Sequence, residues 1–266
     1  MIENQEKIIC LYNDGLSCRK IGILLNTHHK KISAILKKNN VKINHIKCQI
    51  NSEFIFSESD EKYYFFGFLL GDGSIYKYKN TYCLDIGLAE KDKIILEKFC
   101  KYLNYPNSRI RHKINNGKRT VQLQIKNKLF ATDFSNLGLV PNKTYNPSQI
   151  MLPTHAIIPF IIGYLDADGT IEFDKIRINK HKKQYKMSRI SLIGHPDNIN
   201  WFTSILNNLN INVKINSYII NNKWKRITIG NKKDIIKFAK AININAYKNL
   251  CLNRKWNNLI NYISKN

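Results

Sequence analysis

Acidic residues are scarce in this chain of 266 residues: nineteen Asp and Glu stand against forty-three Lys and Arg, for a formal charge of +24. So large an excess repels itself and needs an anionic partner to explain it. It runs along the whole length and is not confined to a tail, which points to nucleic acid. A membrane surface is the rival partner, yet there is no apolar run of roughly eighteen residues and no dominant basic amphipathic helix. Paired cysteines are also missing. Cys10, Cys18, Cys48, Cys83, Cys100 and Cys251 form no CxxC pair, so neither structural zinc nor a secreted disulfide framework is expected. The start, Met1-Ile2-Glu3-Asn4, is polar and lacks the apolar core of a signal peptide. The expected setting is therefore intracellular: cytoplasm or nucleoid, an organelle, or a viral host compartment. The length allows one large domain or two to three small ones with a real core.

What is present is a duplication. Phe65-Phe66-Gly67-Phe68-Leu69-Leu70-Gly71-Asp72-Gly73-Ser74-Ile75 recurs as Ile161-Ile162-Gly163-Tyr164-Leu165-Asp166-Ala167-Asp168-Gly169-Thr170-Ile171. Each is an apolar run with small residues four apart that ends in an acid, a glycine, a hydroxyl residue and isoleucine. Asp72 and Asp168 lie 96 positions apart, so each stretch can head its own repeat.

Ahead of the repeats, three short helices are predicted. The first, Glu6 to Asn13, is stopped by Asp14-Gly15; Ser17 caps a second whose apolar face is Ile21, Leu24 and Leu25. Thr27 is expected to cap a third, running to about Asn39 with Ile32, Ile35 and Leu36 inward. Its opposite face presents Lys30, Ala34 and Lys37, flanked by Lys31 and Ser33. This trihelical unit resembles the helix-turn-helix units of site-specific recombinases and transposases, in Gly15-Leu16-Ser17-Cys18-Arg19-Lys20-Ile21-Gly22 and in the run from His29 to Lys38. From Val41 to about Asp60 no period holds, and the stretch reads as a linker.

The first repeat begins with an apolar helix from Glu61 to Gly71, with Gly67 and Gly71 on one face. Asp72 and Gly73 end it, Gly73 being free to take a positive φ. Tyr82, Leu84, Ile86 and Leu88 alternate with Thr81, Cys83, Asp85 and Gly87 as a half-buried strand. Lys91 to Leu103 is an amphipathic helix. Arg109, Arg111 and Lys113 are expected on one face of a strand, with Ile110 and Ile114 on the other. Asn115-Asn116-Gly117 is a hairpin signal. The return strand places Val121, Leu123 and Ile125 inside and Thr120, Gln122, Gln124 and Lys126 outside. That polar face carries side chains suited to base edges and phosphates, with acids nearly absent. Asn127 to Gly138 closes the repeat.

The cycle restarts with an apolar helix from Ile157 to Ala167, on which Gly163 and Ala167 share a face. Ile176 and Ile178 alternate with Arg177 and Asn179, and Ile190 and Leu192 with Arg189 and Ser191. Pro196-Asp197 caps a helix from Asn198 to Leu209. Val213 and Ile215 alternate with Lys214 and Asn216, and a turn at Asn221-Asn222 leads to Arg226 and Thr228. Lys232 to Ala241 and Tyr247 to Ile263 are expected helices. The fold class is thus α+β. Residues 1–45 form a small all-α helix-turn-helix domain and 46–60 a linker, and two αββαββα repeats occupy 61–150 and 151–266.

Both motifs resemble those of the LAGLIDADG homing endonucleases, in the single-chain form with two copies. The resemblance covers about residues 60–266 and includes Leu137-Gly138-Leu139-Val140-Pro141-Asn142-Lys143-Thr144. It implies a pseudo-symmetric monomer whose motif helices pack together, whose sheets form a saddle over double-stranded DNA, and whose terminal acids meet over the minor groove. Those acids are Asp72 and Asp168, with the carbonyls of Gly71 and Ala167 as further metal ligands. Hard oxygen donors suit Mg²⁺, with Mn²⁺ as an alternative and Ca²⁺ as a non-catalytic substitute. The resemblance also implies a catalytic basic residue near the end of each half's last strand. Lys126 matches in the first half; Gly230 falls there in the second, so Lys232 or Arg226 must substitute. Glu90 and His195 occupy the matched positions after each second strand, where a polar group can order water. Leu70 replaces the acid that Asp166 keeps. The expected DNA contacts are Lys30, Lys31, Ser33 and Lys37 in the first domain, and Arg109, Arg111, Lys113, Gln122 and Gln124 in the first repeat. In the second repeat they are Arg177, Asn179, Arg189, Lys214, Asn216, Arg226 and Thr228.

Three functions remain open at this point. One is a metal-dependent, site-specific endonuclease of a mobile element that leaves short 3′ overhangs. The others are an intron RNA maturase of the same fold and a DNA-binding regulator with inactive repeats. Retention of both acids with Lys126 favours the enzyme, and the helix-turn-helix favours DNA. The ends, Met1 and Ser264-Lys265-Asn266, carry no His-Asn splice pair, so an intein is not expected.

Overall fold

The computed structural model describes residues 2–14, 16–43, 50–79, 81–179, 181–217 and 224–265. The expected turn at Asn221-Asn222, the stop at Gly15 and Cys48 lie outside them. The chain divides into two units, Met1–Cys48 and Gln49–Asn266.

The first unit holds three helices: α1 (Ile2–Asn13), α2 (Cys18–Leu24) and α3 (His29–Lys38). Ile8, Ile21, Ile32 and Leu36 form its buried core. Ser17 caps α2 as expected, its side chain accepting from the Lys20 N–H. The cap of α3 is His28 and not Thr27: His28 Nδ1 accepts from the Lys30 N–H at 3.3 Å. Thr27 is spent on the turn, where its N–H donates to the Gly22 carbonyl at 2.7 Å. That turn lies flat on α2, because a methyl at Gly22 would come within 2.7 Å of the Thr27 oxygen. Leu24, expected to face inward, is 61% exposed. The helix ends one residue short of its apolar pattern, and Leu25 just beyond its end packs on the core in Leu24's place.

The second unit opens with a helix where a featureless linker was expected. Asn51 caps α4 (Ser52–Phe56), and Phe54 and Ile55 are buried in the main core. There follow α5 (Asp60–Asp72), β1 (Gly73–Tyr78), β2 (Thr81–Ala89), α6 (Lys93–Tyr102), β3 (Arg111–Asn115), β4 (Lys118–Lys126) and α7 (Lys128–Asn136). The second round is α8 (Ile157–Asp168), β5 (Gly169–Ile178), β6 (Gln184–Gly194), α9 (Pro196–Asn208), β7 (Lys214–Ser217), β8 (Lys225–Ile229) and α10 (Lys232–Ile242). A further helix, α11 (Asn253–Ser264), ends the chain; it starts six residues later than expected because Ile244–Tyr247 forms a separate 3₁₀ turn. The two antiparallel sheets have the same strand order, β1-β2-β4-β3 and β5-β6-β8-β7. The duplication read from the motifs is therefore a duplication of the whole fold.

Three strand expectations are corrected. Asn107–Arg109 is a 3₁₀ turn, so Arg109 precedes the strand, and Ile114 is 75% exposed. Strand β3 is an edge paired only with β4 and is exposed along its whole length, so alternation there marks no core face. In β5 the register shifts between Glu172 and Lys175, with Asp174 at φ +50°. This bulge re-aims the strand: Arg177 comes onto the face of Glu172, whereas Ile176 and Ile178 reach past the core and stay exposed. The hairpin at Asn116-Gly117 forms as expected, both residues with positive φ.

A candidate active site at the ends of two helices in backbone contact

α5 and α8 cross through their small residues. A methyl at Gly67 would overlap the Phe160 carbonyl, and one at Gly163 would overlap the Tyr64 carbonyl. The two backbones touch at these points, which only glycine permits. One turn on, a methyl at Gly71 would strike the Ala167 methyl and come within 3.0 Å of Asp168 Oδ2. The crossing therefore delivers the C-terminal ends of both helices, and Asp72 and Asp168 with them, to one place. Gly73 and Gly169 are required for a different reason from the one expected. Their φ values are −88° and −79°, extended and not left-handed. A side chain there would run back into the last helical turn, within 2.7 Å of the Leu69 oxygen at Gly73 and overlapping the Leu165 oxygen at Gly169.

Asp72 and Asp168 are each open to solvent on one side. Burial of the rest of the group, with Asp168 adding its like charge, pushes the Asp72 carboxyl up to about 6. Burial also raises Asp168. The cations whose fields oppose this are Lys255 and Lys143. Sequence reasoning did not assign either of them a role. Lys143 Nζ donates to the Gly71 carbonyl at 2.8 Å. Lys255 Nζ donates to the carbonyls of Leu165, Asp166 and Gly169 at 3.0, 2.6 and 2.9 Å. Each lysine thus serves the carbonyl-bearing end of a motif helix, where the dipole favours a cation. Burial lowers the pKa of both. The signal for Lys143 was within the quoted Pro141-Asn142-Lys143-Thr144 run, but nothing in its spacing tied it to an acid.

Asp166 is a clasp and not a reactive group. Its carboxylate accepts from the Tyr64 hydroxyl at 2.8 Å, the Leu252 N–H at 2.7 Å and the Trp256 indole at 2.8 Å. It joins α5, α8 and α11, and Leu70 takes the matching place as a buried apolar side chain.

A cleft of about 540 Å³ opens beside Asp168 and is lined by Gly71, Lys143, Tyr164, His195, Asn198 and Trp224, among others. His195 caps α9, its Nδ1 lying 3.3 Å from the Asp197 N–H and 3.4 Å from Asp197 Oδ2. Glu90 is elsewhere engaged, its Oε1 lying 3.1 Å from His112 Nδ1. Lys126 is exposed at the end of β4, its ammonium 3.6 Å above the Tyr78 ring. It pairs with Cys83, three steps along β2 from the Ile86 that pairs with Gly73. Lys232 is the exposed first residue of α10, and Arg226 is half-buried on β8.

The residues expected to contact DNA fall on two kinds of surface. Lys30, Lys31 and Lys37 are exposed on α3, with Ser33 half-buried among them. Arg109, Arg111, Lys113, Lys214 and Asn216 are exposed on or beside edge strands, and Gln122, Gln124, Arg177, Arg189 and Thr228 are half-buried on the sheets. Asn179 is taken up by its own turn, its Oδ1 accepting from the N–H groups of His181 and Lys183. Acids were expected to be nearly absent from the first sheet's polar face, yet each sheet carries one that organises its neighbours. Asp85 accepts from Gln122 and Gln124, and Glu172 from Lys175, Arg177 and Arg189.

Two carboxylates, adjacent main-chain carbonyls and two flanking ammonium groups form a hard-oxygen, charge-balanced site that fits a divalent cation. Among the described residues no cluster of three or more His, Cys, Asp or Glu is placed to hold a metal. Among the same residues, no helix is long and apolar enough to cross a membrane.

No family model and no curated relative matches the chain by sequence. Solved structures do match it by shape. The LAGLIDADG homing endonuclease I-GzeII in complex with its DNA target aligns over 78% of this chain and 89% of its own, at 12% identity and TM-score 0.54. The meganuclease I-SmaMI bound to uncleavable DNA aligns over 76% and 89%, at 13% identity and TM-score 0.53. The LAGLIDADG meganuclease I-AabMI bound to uncleaved DNA covers the same shares, at 14% identity and TM-score 0.51. At these identities the likeness establishes the fold: the chain has the two-repeat α+β fold of the single-chain LAGLIDADG enzymes.

Proposed function

We propose that the chain is a site-specific double-strand DNA endonuclease of the homing type, acting as a monomer and dependent on a divalent metal. The observation that carries this is the meeting of Asp72 and Asp168 at the ends of two helices in backbone contact, with a lysine at each end. A helix crossing that served packing alone would have no need of two solvent-open acids and two half-hidden ammonium groups. An RNA-binding or regulatory protein could lose all four without loss of binding.

Hydrolysis of a phosphodiester requires a water to lose a proton, the phosphoryl charge to be offset and the leaving 3′-oxygen to be stabilised. A divalent cation would be held by Asp72, Asp168 and the carbonyls of Ala167 and Gly71, the last shared with Lys143, and would supply the Lewis-acid part of this, Mg²⁺ first and Mn²⁺ second, with Ca²⁺ binding without turnover. The protein supplies the rest. Each carboxylate can accept a proton from the attacking water on its own strand, so one site can cut both strands. Lys143 and Lys255 bring positive charge toward the phosphate oxygens, and His195 can order water in the cleft. Cuts on either side of the minor groove leave short 3′ overhangs.

Binding falls to the sheets and to α3. The polar sheet faces read base edges, while Arg111, Lys113, Lys126, Lys214, Arg226 and Lys232 meet phosphates. The first unit acts as a helix-turn-helix reader, with Lys30, Lys31 and Lys37 of α3 at the groove. The test is cleavage selection from a randomised duplex library in Mg²⁺. Recovery of one long, asymmetric cut sequence supports the reading. A library left uncut while the protein still binds a structured RNA would replace it.

A further inference from the structure

We propose that Asp85 sets the base preference of the first sheet, fixing Gln122 and Gln124 with their carbonyl oxygens outward. So held, they select bases with a major-groove amino group, adenine or cytosine, over guanine and thymine. The inference rests on the DNA-reading role proposed above.

Asp85 lies on β2, directly across from Gln124 and two residues from Gly87, the partner of Gln122. Gly87 leaves open space beside it, so Gln122 is free to lean toward Asp85. Gln122 Nε2 sits 2.7 and 2.8 Å from the two carboxylate oxygens, and Gln124 Nε2 sits 2.9 Å from Oδ2 and 3.3 Å from the Tyr76 hydroxyl. An ionised carboxylate accepts and cannot donate, which decides the orientation of both amides. Turning either one over would set its oxygen against the carboxylate oxygens. Both amides are therefore locked with nitrogen inward and oxygen outward.

An unrestrained glutamine can present either end to a base. A locked one presents an acceptor, with at most one N–H beside it. Adenine N6 and cytosine N4 are major-groove donors, whereas guanine O6 and thymine O4 are acceptors and meet the locked oxygen with repulsion. The second sheet offers an internal contrast. Its central acid, Glu172, holds Lys175, Arg177 and Arg189, which donate however they are turned. Among the described residues the acid of the second sheet holds no amide whose polarity it could set, so the two halves of the target differ in chemistry.

The test is a panel of single-base substitutions across the bound duplex, read as relative affinity for the full chain and its Asp85→Asn and Asp85→Ala variants. In the unmodified protein, two or more positions in one half are expected to prefer adenine or cytosine by about tenfold or more. In both variants that ratio should fall below about threefold at those positions alone, while the salt slope and all other positions keep their values. Unchanged preferences in both variants would overturn the inference and leave the DNA-reading role standing. So would the absence of any amino-selective position in the unmodified protein. If the protein binds no duplex at all, the parent reading fails and takes this one with it.

Discussion

The ammonium of Lys143 donates to the main-chain oxygen of Gly71 at 2.8 Å, one residue before Asp72 and in the helix turn that also meets Asp168. A residue from the segment joining the repeats thus completes the end of the first motif helix. Lys255, from the last helix of the chain, does the same for the second. The basic partners of the acids come from outside the strands, which separates their expected behaviour from that of Lys126.

Lys143→Met and Lys255→Met should each slow single-turnover cleavage by about 10²-fold, the scale of losing one charge-stabilising donor, with affinity for DNA nearly unchanged. Lys126→Ala should do the reverse: cleavage of the bound complex is kept, affinity falls, and the salt slope drops by about one. Rate loss in Lys126→Ala with none in the other two would instead support the catalytic role that the family resemblance implies for Lys126.

Gly67→Ala and Gly163→Ala should each destabilise the fold by about 3 kcal/mol or more, measured by denaturant unfolding, because the new methyl overlaps a carbonyl of the facing helix. The gain in helix propensity from glycine to alanine, roughly 1 kcal/mol, has the opposite sign and is too small to compensate. Wild-type stability in either variant would mean that the helices do not touch at these residues.

These glycines were legible from sequence because their spacing is local and helical, and the same holds for the repeated element order and the Asn116-Gly117 hairpin. What was not legible depends on chain segments far apart. Lys143 and Lys255 reach their partners from 72 and 89 residues away. The resemblance marks Asp166 as a structural acid, but its three donors come from α5 and from residues near the C-terminus and could not be named. The bulge at Asp174 breaks the alternation of β5 without leaving a pattern in the residue types, so Ile176 and Ile178 passed for core. Gly73 was read as a left-handed cap because an Asp-Gly stop suggests one, and only the packing of Leu69 shows the true constraint.

The raised Asp72 carboxyl predicts how metal binding responds to pH. With its pKa near 6, a proton competes with the cation below about pH 6, and not only below the ordinary value of 3.8. The Mg²⁺ concentration for half-maximal binding to the free protein should be flat from pH 8 to 7 and rise by about fivefold between pH 6 and 5, and by more to the extent that the raised Asp168 also takes up a proton there. Calorimetric titration across that range checks it. A midpoint unchanged down to pH 5 would contradict the burial that raises these acids.

Replacing Lys30, Lys31 and Lys37 together with alanine should lower the salt slope of binding by about two to three and shorten the protected footprint on one side. Cleavage within the complexes that still form should continue at the original rate. A full-length footprint in the triple variant would remove α3 from the DNA interface.

The central claim is that Asp72 and Asp168 together cut both strands. It is tested most directly by strand-resolved cleavage of one selected duplex in Mg²⁺ by Asp72→Asn and Asp168→Asn, with affinity measured in parallel. The expected result is loss of cleavage by about 10³-fold or more in each variant, while affinity stays within about threefold of the unmodified protein. Full-rate double-strand cutting by either variant would contradict the shared two-carboxylate site.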